Sequence, residues 1–156
     1  MKKVLTLITL LFTLVANAQT TIKNRTLGEW GIEETGEVTV AGYDMILSTN
    51  VVDNKVYKIV IGTGINYDSN TGYFDNAHIT YSEALDLKQA LENHLGVSFQ
   101  LIIDDEKGKV YSGSTEHEYY GFIINYTKTK GRYSVGAVFE NKFLVAYEKD
   151  LRHSDI

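Results

Sequence analysis

From Val97 to Tyr147 apolar side chains recur at every second position, and this alternation limits the fold more than any other feature of the chain. Val97, Phe99, Leu101 and Ile103 alternate with Ser98, Gln100 and Asp104. Tyr120, Phe122, Ile124 and Tyr126 share one side of the next run. Tyr133, Val135, Ala137 and Phe139 share one side of another, and Phe143, Val145 and Tyr147 follow. A strand turns successive side chains to opposite faces, so period two marks a sheet with one buried face. Glu106-Lys107-Gly108-Lys109, Lys128-Thr129-Lys130-Gly131 and Glu140-Asn141 separate the runs. Such short turns join neighbouring antiparallel strands.

The upstream half adds more strands. Glu37 to Leu47 reads as one strand, with Val38, Val40 and Ile46 on one face and Tyr43, Met45 and Leu47 on the other. Gly42 and Asp44 share the first face and mark it as wet or bulged. Asp53-Asn54 suits a type I′ hairpin turn, because both residues tolerate positive φ. The strand from Lys55 to Thr63 then sets Tyr57, Ile59 and Ile61 against Val56, Lys58 and Val60. Residues 62 to 76 form a long polar loop, with a short strand near Tyr73-Phe74.

One helix interrupts the strands. Thr80-Tyr81-Ser82-Glu83 is a capping box, Ala84, Leu87, Leu91 and Leu95 recur at helical spacing, and Gly96 supplies a left-handed stop. These signals predict a single α+β domain: an antiparallel sheet of five to seven strands with one amphipathic helix, about residues 81 to 95, packed on it. Leu87, Leu91, Leu95, Phe99, Leu101, Ile103, Phe122, Ile124, Val135 and Phe139 are the expected core. The globular domain is expected over residues 29–150, between a loose leader at 19–28 and a polar tail at 151–156.

The first eighteen residues read as an export signal. Lys2 and Lys3 precede the uncharged run Val4 to Val15, and Ala16-Asn17-Ala18 forms an A-x-A cleavage site. The run falls short of the roughly 20 residues needed to cross a bilayer. The expected product starts at Gln19 and is exported and soluble, in a periplasm or outside the cell, with no stable membrane insertion after cleavage. The chain has no cysteine. Disulfides, thiolate metal sites, cysteine nucleophiles and a lipid-modified N-terminal cysteine are therefore excluded. The formal net charge is −5, and removing Lys2 and Lys3 makes it more negative. Such a surface disfavours nucleic acid and anionic membranes as partners.

The signal, the helix around Leu85-Asp86-Leu87-Lys88-Gln89-Ala90-Leu91 and the hairpins after it resemble small exported bacterial proteins of unknown function, over residues 79 to 150. That resemblance implies an α+β fold and no known activity. Separately, Gly28-Glu29-Trp30 resembles the G-x-W opening of lipocalin-like β-barrels. It implies a tryptophan at the base of a barrel that carries a small apolar ligand.

Three clusters could carry chemistry. Asn66, Asp68, Asn70 and Asp75 place oxygens through one loop, as a calcium site needs. An EF-hand counted from Asn66 would require glycine and glutamate where Thr71 and Ala77 stand, and the same residues also build a plain turn. Glu116-His117-Glu118 is the densest titratable group, but on a strand the histidine faces away from both carboxylates. Asp104-Asp105-Glu106 offers a carboxylate cluster, or simply solvates the turn that follows it. Glu116, His117 and Asp104 are thus the catalytic candidates, and no cofactor other than calcium is suggested. The chain carries no nucleotide loop, nucleophile elbow or zinc-protease motif. The reading that follows is a non-enzymatic exported binding or structural module engaging a protein, glycan or envelope component. A small envelope hydrolase and a lipocalin-like carrier are the alternatives.

Overall fold

The computed structural model describes residues 19–63, 67–68, 73–74, 79–126 and 131–154, with the side chains of 67–68, 73–74 and 154 left aside. β1 (Thr21–Ile22) and β2 (Arg25–Thr26) form a small hairpin. β3 (Glu34–Val40), β4 (Tyr43–Val52) and β5 (Lys55–Thr63) follow, then β6 (Tyr67–Asp68) and β7 (Tyr73–Phe74), a two-stranded ladder. The helix α1 (Tyr81–Leu95) leads to β8 (Gln100–Asp105), β9 (Gly108–Ser114), β10 (Glu118–Tyr126) and β11 (Tyr133–Asn141). A second helix, α2 (Lys142–Ser154), ends the described chain.

The main sheet has seven strands in the order β3-β4-β5-β11-β10-β9-β8, and every pair is antiparallel. It is two meanders, β3 to β5 and β8 to β11, joined where the last strand of each meets the other. The protein is therefore α+β. α1 has the capping box read from the sequence: Glu83 N donates to Thr80 Oγ1 and Thr80 N donates to Glu83 Oε1, both at 3.2 Å. It stops at Gly96, φ +70°, whose N–H reaches the Glu92 carbonyl. Ala84, Leu87 and Leu91 are its buried face. They join one core with Met45, Leu47, Ile59, Ile61, Phe122, Ile124, Val135, Ala137 and Phe139.

Seven expectations need correction. Residues 37 to 47 are not one strand. Ala41 and Gly42 both take positive φ, +52° and +84°, so the chain folds back as the β3–β4 hairpin, the same device that Asp53 and Asn54 use at +49° and +61°. In β5 the register slips opposite Asn50 and Val51, and Tyr57 has no partner on β4. This bulge lets Val56 and Ile59 both enter the core while Tyr57 and Lys58 stay half-buried. Among the described residues there are two helices, not one. Asn141 Oδ1 accepts from the Phe143 and Leu144 amides at 3.1 and 3.0 Å, so the expected hairpin turn is a helix cap. The expected tail belongs to that helix through Ser154. The expected leader is built into the domain, with Thr20, Ile22 and Leu27 buried. Finally, Leu101 and Ile103 are not core, as β8 lies at the sheet's edge.

Candidate functional site

Two surfaces and one buried cluster stand out. The first surface is the free edge of β8. All six of its residues are exposed, including Leu101 at 48%, Ile102 at 58% and Ile103 at 48%. β9 flanks it on one side and no strand of the main sheet on the other. Its register with β9 slips between Leu101 and Ile103, which leaves Ile102 unpaired. The acidic turn lies at one end: Asp104 meets Lys109 at 3.5 Å, and Asp105 Oδ1 accepts from the Lys107 amide at 2.8 Å.

The second surface is a groove of about 610 Å³ between the N-terminal hairpin, β3 and α1. Ile22, Val38, Val40, Ala90 and Leu91 make its apolar wall, with Lys23 and His94 among its polar lining. His94 stands in the last turn of α1, where a cation suits the helix dipole. It also ties the helix to the leader, with Nε2 at 3.1 Å from the Thr21 carbonyl. A smaller cavity of about 220 Å³ lies beyond His94, between Gln19, Thr20, Leu95 and Tyr120.

The buried cluster centres on Glu118, 2% exposed at the start of β10. Its carboxylate accepts from Thr20 N at 3.2 and 3.1 Å, Thr20 Oγ1 at 2.7 Å and Tyr120 hydroxyl at 2.7 Å. Burial raises the Tyr120 hydroxyl above its ordinary pKa, and the hydrogen bond to Glu118 adds to the rise. The chain's own donors hold this carboxylate, which ties the leader to the start of β10.

The residues singled out from sequence fare differently. Glu116 and His117 lie on a bend before β10, both exposed, 3.9 Å apart, with Phe143 beside the imidazole. Glu118 turns inward away from them. Asp104 is on the β8 edge, and none of Glu116, His117 and Asp104 lines either cavity. Asn66, Asn70 and Asp75 lie outside the described residues, and of Asp68 only the strand β6 is described. Among the described residues no three histidine, aspartate or glutamate side chains could hold one metal ion, and no helix is long and apolar enough to cross a membrane. Trp30 is 76% exposed and bridges Lys55 at the hairpin between β4 and β5.

Sequence reasoning missed Glu118 because alternation grouped it with Glu116. The signal that could have found it is its place two residues before Tyr120, in phase with the buried Phe122 and Ile124. The chain matches no family model, no curated protein and no solved structure.

Proposed function

We propose that the protein is an exported, non-enzymatic binding module that engages a protein partner by adding a strand to β8. One observation carries this reading: Leu101, Ile102 and Ile103 are three consecutive aliphatic residues, each about half exposed or more, on an edge that no described strand pairs. Edge strands are normally blunted by charge, proline or a cover, because their free backbone groups recruit other strands. Recognition by strand addition takes affinity from those backbone groups and specificity from the side chains. Asp104, Asp105 and Glu106 at one end favour an extended segment with aliphatic residues followed by Lys or Arg.

The test uses labelled extended peptides, alternating Val and Thr with either a Lys-Lys or a Glu-Glu end, and fluorescence anisotropy. The Lys-ended peptide should bind and the Glu-ended peptide should bind at least tenfold more weakly. Ile102→Lys should abolish binding while leaving the circular dichroism spectrum unchanged. Equal binding by wild type and Ile102→Lys would defeat the reading. Sedimentation velocity on the same samples reports whether the edge instead pairs two copies of the chain.

The groove supports a second reading, a carrier of a small apolar ligand. Its volume of about 610 Å³ falls within the range of ligand pockets, about 300 to 1,000 Å³. Ala90→Trp should fill it and eliminate enhancement of an apolar fluorescent probe. Probe fluorescence unaffected by Ala90→Trp would remove this reading.

A further inference from the structure

Glu118 is a buried carboxylate without a countercharge. Its donors are an amide and two hydroxyls, all neutral, and among the described residues no Lys, Arg or His lies within ion-pair distance. An ionised carboxylate out of water is costly unless a cation accompanies its hydrogen bonds. The donor that meets both carboxylate oxygens is the Thr20 amide, and Gln19 is the residue joined to it. The Gln19 nitrogen is therefore one residue along the chain from the amide that holds the carboxylate. The sequence puts the signal cleavage site between Ala18 and Gln19.

We propose that Glu118 is the receptor for the α-ammonium group of Gln19, which cleavage after Ala18 creates, so that processing completes the fold. This rests on the export signal read from residues 1–18. Water adds across the Ala18–Gln19 amide in that step. The C–N bond breaks, hydroxyl goes to the Ala18 carbonyl carbon to give a carboxylate, and the Gln19 nitrogen leaves as an amine that is protonated near neutral pH. Among the described residues Glu118 is the buried carboxylate, its partners are all neutral, and the new cation belongs to the residue joined to the amide that holds it. The leader is already positioned for this, with Thr20, Ile22 and Leu27 buried and His94 holding the Thr21 carbonyl.

The groups around the new ammonium are Glu118 and Tyr120 of β10 and His94 of α1, the last two lining the same small cavity as Gln19 and Thr20. An ordinary α-amino group titrates near pH 7.7 to 8.0, and a neighbouring carboxylate moves that value up. The stabilisation is therefore full below pH 7.7 and is lost as pH rises through the raised value.

The experiment compares chains that begin at Gln19 with a free or an acetylated α-amine, their masses checked to exclude cyclisation of Gln19 with loss of ammonia. At pH 7 the free-amine chain should melt higher, on the order of 3 °C or more. The difference should close at alkaline pH and persist in His94→Gln. Glu118→Gln should make acetylation silent. Equal melting of free and acetylated wild-type chains overturns the proposal, and this comparison needs no variant to fold. An unchanged acetylation effect in Glu118→Gln also overturns it. Separately, the intact mass of the exported product should correspond to residues 19–156. A product starting elsewhere overturns the processing step, and the melting comparison still judges the pairing on its own.

Discussion

Phe122 and Ile124 in β10 are fully buried, whereas Leu101 and Ile103 in β8, two strands away in the same sheet, stand about half exposed. Both strands alternate apolar residues at period two. The difference lies in what covers them. Strands are about 4.8 Å apart, so seven of them span roughly 29 Å, while one helix with its side chains is about 10 to 12 Å wide. α1 lies over the centre, against β11. Cover extends outward through Tyr111 and Phe99, whose rings sit 6.2 and 5.8 Å from Phe122, whereas all six residues of β8 are exposed. Alternation tells which face a side chain takes. It does not tell how far along the sheet the cover reaches.

The comparison is tested most strongly at its covered end. Phe122→Ala removes a fully buried ring that touches Phe99 and Tyr111, and should cost about 3 to 5 kcal/mol. Urea denaturation at neutral pH measures it. A loss below about 1 kcal/mol would mean that the centre of the sheet is not the core.

The helix that supplies the cover should respond next. Thr80→Ala deletes the hydroxyl that accepts from the Glu83 amide and should cost about 1 kcal/mol. Thr80→Ser should cost less than half as much. The Glu83 carboxyl lies below its ordinary pKa, chiefly because the Thr80 backbone N–H donates to it. Its contribution is thus present above the unfolded value and is lost as pH falls through the folded one, and Glu83→Gln should flatten that acid limb.

What was legible in the sequence follows the same division. α1 was readable to the residue because its signals are local: a cap at Thr80, a stripe on one face, a stop at Gly96. The centre of the sheet was readable because its buried face is uninterrupted. Failures came where a residue's role depended on distant chain. Asn141 caps α2 rather than turning a hairpin, yet Phe143, Val145 and Tyr147 happen to alternate as a strand would. Tyr57 sits in a bulge set by pairing with β4. Glu118 is held by Thr20, 98 residues away, a partner that local pattern does not reveal.

Alkaline pH should act on the covered region too, by a smaller and gradual amount. Burial raises the pKa of Tyr111 and of Tyr120 above the ordinary value. A raised folded pKa means that stability is full below the unfolded value, about 10, and declines as pH rises through the folded one. Tyr111→Phe should shallow that decline in denaturation midpoints between pH 9 and 11. An identical slope in the variant would place Tyr111 outside the covered region.

The smallest effect belongs to the open edge. Leu101→Ala removes as many apolar atoms as a substitution in the core, but from a side chain that is already 48% exposed on a strand with a neighbour on only one side. There is no closed cavity to leave behind, and water already reaches the site. The penalty specific to buried sites is therefore absent, and the cost should stay within about 0.5 kcal/mol. Ile103→Ala should behave alike. Equilibrium denaturation of the two variants beside Phe122→Ala gives the contrast directly. A loss of about 2 kcal/mol or more at Leu101 would show that β8 is covered in solution. That cover would have to come from residues outside those described, or from a second molecule whose presence a concentration-dependent midpoint would reveal.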